Sequence, residues 1–226
     1  MRSRSVSDVI LFGHINIPAP TAHLLADWER DATSLALQPG DVEALTLART
    51  RARWADYKHC VQAMADWTRA QGLAGPNVDL LADSEVALMV CRGTRYHFDA
   101  AQYGGAAFCN LFLSDAKDLD LHFPLTGLRL PLQRGMAVVF DTGQPHAVVP
   151  RGRADFDAID FAPGQDSNQF FLTWELAVEN PRVSLALQIS LDTNPTTALQ
   201  LNEAQVQLHG ERVDVDPATG HWSLCA

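Results

Sequence analysis

His97-Phe98-Asp99 and, 47 positions after Asp99, His146 are the residues of this chain whose types and spacing could do chemistry. Two imidazoles and a carboxylate form the ligand set that holds a non-haem Fe(II) ion by one face and leaves the opposite positions open. On an extended strand, residues i and i+2 point to the same side. His97 and Asp99 can therefore reach one ion while Phe98 faces away. The distance along the chain to His146 leaves room for several short strands to carry the third ligand back across a barrel.

The flanks are what such ligands need. Arg95-Tyr96-His97-Phe98-Asp99 follows the apolar run Val86-Ala87-Leu88-Met89-Val90, as if a strand ends at the ligands. Downstream, Arg134-Gly135 reads as a turn feeding the buried strand Met136-Ala137-Val138-Val139-Phe140-Asp141. Thr142-Gly143-Gln144-Pro145 is then a turn, and His146-Ala147-Val148-Val149-Pro150 opens the next strand. A second pairing, Asp120 with His122, shares one face of an alternating strand and offers a rival ligand pair by spacing alone. The strand-turn-strand setting of His146 favours the set His97, Asp99 and His146.

The run Gly135 to Pro150, taken with His97-Phe98-Asp99, resembles the core of the Fe(II)/2-oxoglutarate-dependent oxygenases over about residues 85–162. The resemblance implies a double-stranded β-helix, or jelly roll, with Fe(II) on His97, Asp99 and His146. It also implies 2-oxoglutarate as cosubstrate, with succinate and CO2 released as a small-molecule or amino-acid-like substrate is hydroxylated. One departure stands out. The family usually places an Arg or Lys about ten residues after the distal His to pair with the far carboxylate of 2-oxoglutarate. Here that position is Phe156, flanked by Asp155 and Asp157. The available cations are Arg153 and Arg151, whose guanidinium groups suit a bidentate carboxylate contact if the hairpin is shorter. Tyr103 and Asn110 are further candidates for contacts to the cosubstrate or to the metal ligands.

Around these residues the chain sorts into three stretches of one expected domain: an N-terminal strand and helices over 1–79, a barrel core over 80–162 and a β extension over 163–226. The expected class is mainly β with N-terminal helices, a jelly-roll barrel supported by helices. Residues 6–18 read as an opening strand ended by Pro18-Ala19-Pro20. Thr21 is a candidate N-cap for one helix, and a second is expected from Val42 to Gln71, with Trp54 and Trp67 as packing residues. Short strands are expected over 108–113, 119–124, 127–132 and 157–161, at the close spacing of a jelly roll. In the tail, 170–178 and 183–191 read as longer strands, and 204–209 and 213–216 as edge strands. The tail could extend the sheet, cover the barrel mouth or join two copies in a homodimer.

Composition bounds the partners. The 226 residues are 47% apolar and 19% charged, which places the chain among ordinary globular proteins. A formal charge of −10 disfavours nucleic acid bound through a basic surface. Arg49, Arg51 and Arg53 form a local basic group, read as the solvated face of a helix. Cys60, Cys91, Cys109 and Cys225 lack C-x-x-C spacing, and Cys91 and Cys109 sit in apolar runs as small hydrophobes. No run approaches the ~20 apolar residues of a membrane span, and Val9-Ile10-Leu11-Phe12 is too short for a signal-peptide core. The expected location is the cytoplasm. Two other readings fit the same residues: a cupin-type metalloenzyme that uses no 2-oxoglutarate, and a non-catalytic β-barrel that binds or scaffolds.

Overall fold

The computed structural model describes residues 3–76, 78–82, 84–162, 164–194, 199–202 and 204–225. The N-terminal part begins with two strands, β1 (Arg4–Ser5) and β2 (Ile10–His14), and helix α1 (Ala22–Ser34). Strand β3 (Val42–Leu45) and helices α2 (Leu47–Arg51) and α3 (Tyr57–Ala70) complete it. Then come β4 (Val86–Cys91), β5 (Thr94–His97), the one-turn helix α4 (Ala100–Tyr103), β6 (Ala106–Phe112), β7 (Leu119–Phe123), β8 (Leu128–Pro131), β9 (Met136–Asp141), β10 (His146–Pro150) and β11 (Gln169–Ala177). The tail holds α5 (Pro181–Ala186), β12 (Leu199–Asn202), β13 (Gln205–Leu208), β14 (Glu211–Val215) and β15 (Trp222–Leu224).

The strands form three sheets. A six-stranded sheet runs β2-β9-β6-β11-β4-β3, and a four-stranded sheet runs β5-β10-β7-β8. From β4 to β11 the chain crosses between these two sheets, and every pairing in them is antiparallel. This is the jelly-roll arrangement, in which each sheet contributes one wall. The tail builds the third sheet, β12-β13-β14-β15, to which β1 pairs from the other end of the chain.

The period-2 alternation of the strands decides what each face of the large sheet does. On β11, Phe170, Leu172, Trp174 and Leu176 join a core with Trp28 of α1 and Cys60 and Met64 of α3, so the helices cover the outer face. The alternate residues Phe171, Thr173 and Glu175 face inward, towards the small sheet. On β6 the same split sends Cys109 and Leu111 out to the helices and Phe108, Asn110 and Phe112 in. Trp54 is 4% exposed and stacks edge-on with Trp28, a packing residue.

Local chemistry sets the ends. Thr21 caps α1, its hydroxyl accepting from the Leu24 N–H at 3.2 Å. Gly135 has φ +83°, and a Cβ there would stand 2.1 Å from the Ile15 carbonyl oxygen, so the turn into β9 requires glycine. Several expectations are corrected. The opening strand is confined to Ile10–His14. The single helix expected over 42–71 is three elements, because Val42–Leu45 pairs with β4 as an edge strand instead of coiling. Residues 158–161 are a 3-10 turn whose start is held by the Asp157 carboxylate, which accepts from the Ile159 N–H. Part of 183–191 is helical, since Asn180 caps a turn that begins with Pro181, whose fixed φ suits a first helical position.

Candidate metal centre

The end of β5 and the start of β10 meet at one point. The β5–β10 register sets His97 directly opposite His146, and their rings lie 4.5 Å apart between centroids. Asp99 is two residues past His97, beyond the end of the strand, at the N-cap of α4. An aspartate there commonly accepts from its own helix. Asp99 does not; its side chain makes no cap hydrogen bond. Its backbone N–H donates to the Thr142 carbonyl at 2.8 Å, tying the carboxylate to the turn that leads into His146. The carboxylate is left facing the two imidazoles, with Oδ1 3.6 Å from His97 Nε2 and Oδ2 3.4 Å from His146 Nε2. One ligand atom from each of the three residues lies within 4.8 Å of the others.

The other ring nitrogens decide the tautomers. His97 Nδ1 is 2.7 Å from the Arg95 carbonyl, and His146 Nδ1 is 3.0 Å from the Gln144 carbonyl. A carbonyl only accepts, so each Nδ1 carries the proton and each Nε2 presents a lone pair to the shared space. This backbone support is the usual way a histidine is held for a metal. Burial, reinforced by His97 and opposed by Asp99, lowers the pKa of His146 to about 4, so its ring is neutral at pH 7. Two imidazoles and a carboxylate converging on one point suit a divalent ion of borderline softness such as Fe(II).

The triad opens into a cavity of about 440 Å³ between the two sheets, within the range of small-molecule sites. Its floor is the inward face of the large sheet. Register orders that floor into rows: Phe112, Phe171 and Met89 deepest, then Asn110, Thr173 and Ala87, then Phe108 and Glu175 towards the rim. Glu85 lies beside Glu175, one step past the last paired residues, Val86 and Trp174. From the small sheet, Thr94 lines the wall, and its oxygen accepts from the Val148 N–H at 2.7 Å.

The sequence candidates fall into two groups. Tyr103 and Asn110 line the cavity with the triad. Asn110 is 7% exposed and its Oδ1 has no hydrogen-bond partner, whereas the Tyr103 hydroxyl accepts from Gln102 at 3.0 Å. Arg151 and Arg153 are not on the wall. Arg151 pairs with Asp118 and Asp120 at 3.2 Å, and Arg153 pairs with Asp155 at 3.2 Å and Asp160 at 3.8 Å. The acidic loop that contains Asp155 and Asp160 thus holds Arg153 itself. Among the described residues that line the cavity there is no Arg or Lys; the charged ones are Glu85, Asp99 and Glu175. The far carboxylate of 2-oxoglutarate would enter without a counter-ion, and an unpaired buried charge is costly. The residues present fit the metal and do not supply this partner for the cosubstrate.

The rival pair Asp120 and His122 is engaged elsewhere. Asp120 takes Arg129 at 3.5 Å and Arg151 at 3.2 Å, and His122 hydrogen-bonds the Tyr96 hydroxyl. Glu85, Glu175 and Thr94 escaped the sequence reading. Once Asn110 is set inward on β6 the pairing of β6, β11 and β4 identifies both glutamates, but that pairing is a tertiary fact.

No family model matches the chain, and no curated protein matches it. Solved structures do align with it. A prolyl-4-hydroxylase from Pseudomonas putida matches at 18% identity and TM-score 0.39, covering 74% of this chain and 92% of that one. The epimerase SnoN, in complex with Fe3+, alpha ketoglutarate and nogalamycin RO, matches at 12% identity and TM-score 0.40, covering 74% and 79%. A non-heme monooxygenase, ThoJ, matches at 15% identity and TM-score 0.37, covering 84% and 79%. At these values the likeness is loose, and the chemistry has to come from the chain's own side chains.

Proposed function

We propose that this protein is a mononuclear non-haem iron(II) oxygenase acting on a small molecule, with His97, Asp99 and His146 as the metal ligands. The observation that carries the reading is the convergence of three ligand side chains on the wall of a cavity, with both Nδ1 atoms committed to backbone carbonyls. A bound iron would supply dioxygen activation at the positions the three ligands leave free. The chain's own part is to hold the ligands, to orient the substrate against the inward face of the large sheet, and to keep bulk water away with Phe108, Phe112, Phe140 and Phe171.

A second reading is favoured by the cation-free wall: a cupin-type metalloenzyme on the same barrel that takes no 2-oxoglutarate. An anaerobic titration tests the metal assignment shared by both, and then whether 2-oxoglutarate is used. Apo protein should bind one equivalent of Fe(II), and His146→Ala should abolish that binding; unchanged binding in the variant would overturn the metal assignment. Addition of 2-oxoglutarate then gives a metal-to-ligand charge-transfer band if the keto acid chelates. The unpaired acidic wall leads us to expect no band at concentrations comparable to the protein. A band at one equivalent would restore the 2-oxoglutarate reading.

A further inference from the structure

The cavity wall changes in kind on the two sides of the triad. His146 and Val148 both line it, two residues and about 7 Å apart on β10, and Leu121 pairs with Val148 from β7. Val148 and Leu121 meet Phe112 and Phe171 of the large sheet in one apolar cluster. Met89 and Phe108 pack against that cluster, yet both keep part of their surface open. Inward side chains of two stacked sheets ordinarily close on one another. Here they leave apolar surface facing a cavity beside the metal ligands, which is the lining of a site for an apolar group. In the other direction, towards the rim, the wall ends at Glu85 and Glu175.

Charge then sorts the molecules such a wall can take. A divalent ion with the Asp99 carboxylate keeps one positive charge, which a monoanionic head at the free positions cancels. A second carboxylate adds a charge that nothing balances. Pointing inward it meets apolar side chains, and pointing outward it meets two carboxylates. Thr94, Asn110 and Thr173 on the same wall are neutral. Burying an unpaired charge is costly, whereas each methylene moved from water to an apolar wall gains about fourfold in affinity.

We propose that this centre takes a monocarboxylic 2-oxo acid with an apolar tail, its carboxylate and keto oxygens at the triad and its tail among Val148, Phe112, Phe171 and Met89. This rests on the oxygenase reading in one respect. Dioxygen takes four electrons; hydroxylation of a C–H bond supplies two, and a 2-oxo acid supplies the other two by losing CO2. One oxygen atom ends in the new hydroxyl group and the other in the carboxylate left behind, one carbon shorter. That balance requires no second carboxylate. Phe112, Phe171 and Met89 are the residues that select the acid.

The test is an anaerobic titration of the full chain loaded with Fe(II), read by the charge-transfer band and by calorimetry. The probes are pyruvate, 2-oxobutyrate, 2-oxopentanoate and 2-oxohexanoate, with 2-oxoglutarate as the equal-length partner of 2-oxopentanoate. Affinity should rise about fourfold per methylene along the series. 2-Oxopentanoate should bind at least tenfold more tightly than 2-oxoglutarate. Phe171→Ala should weaken 2-oxohexanoate about tenfold and leave pyruvate within twofold. Met89→Lys, an unbranched replacement at a half-buried position, should strengthen 2-oxoglutarate about tenfold by supplying a cation. In the unaltered protein, a smaller preference over 2-oxoglutarate, a flat series, or no binding of any of these acids at millimolar concentration overturns the proposal. Fe(II) binding is measured first on the same preparation. Iron bound without the expected series refutes the tail site alone, whereas no iron binding refutes the metal assignment and the tail site together.

Discussion

Asp99 and His146 show how single residues are released for a task by satisfying everything around them. Asp99 occupies a capping position without capping, and His146 sits 7% exposed with its ring 4.8 Å from that of Phe140. His97→Ala or Asp99→Ala should remove stoichiometric Fe(II) binding and turnover while the circular dichroism spectrum stays native; full activity in either variant would refute the centre. The buried ring also sets a pH dependence in the metal-free protein. An unfolded histidine takes a proton near pH 6.5, whereas His146 resists it down to about 4, and burial with Arg129 also lowers the pKa of His122. Across that window the unfolded chain binds more protons, so stability rises with pH and is lost as pH falls from about 6.5 towards 4. The His146 contribution amounts to about 3 kcal/mol at full development. Urea unfolding of the metal-free protein at pH 7 and pH 5 should show this loss, and His146→Gln should shrink it. A slope identical in the variant would mean that His146 protonates as freely in the fold as outside it.

Among the elements, the short turn from β9 into β10 positions the distal ligand, and it is fixed from the far end of the chain. Arg4 on the two-residue β1 is 1% exposed and makes a two-pronged contact to Asp141, both N–O distances 2.7 Å. Asp141 also accepts from the Ser7 and Gly143 N–H groups at 2.8 Å, and the Thr142 hydroxyl, with one proton to donate, lies 2.9 Å from both the Tyr103 and the Ala106 carbonyl. Arg4→Ala would leave Asp141 buried with part of its charge unmatched, at a cost of about 3–5 kcal/mol. Denaturant unfolding should show that loss, accompanied by weaker Fe(II) binding; a cost under about 1 kcal/mol would mean that the pair is dispensable. None of this was legible in the sequence, where Phe140-Asp141 is a motif fragment and Arg4 one of two basic residues near the start. Patterns closed within one element were legible: the Thr21 cap, the apolar run of β9, the turn before His146. Val42–Leu45 failed because its four residues take their conformation from pairing with β4, and 183–191 because its large apolar residues fall at every second position, the pattern of a strand, while the Asn180 cap and Pro181 start a helix there.

For the whole molecule, the two faces of the large sheet carry different duties. Helices α1 and α3 seal the outer face with Trp28, Cys60 and Met64 against Leu172 and Trp174, and this layer holds the largest buried side chains. The inner face spends its positions on a cavity, with Asn110 and Thr173 where a protein built only for stability would place apolar residues. Neighbouring residues of one strand should therefore respond differently to truncation. Trp174→Ala removes a side chain that is 1% exposed from the sealed layer and should cost about 3–5 kcal/mol. Thr173→Ala, one residue away on β11 and facing the cavity, should cost less than about 1 kcal/mol while changing the affinity of whatever the cavity binds. Denaturant midpoints of the two variants give the stability comparison directly. Equal losses would mean that the inner face is as much a part of the core as the outer, and that the cavity closes in solution.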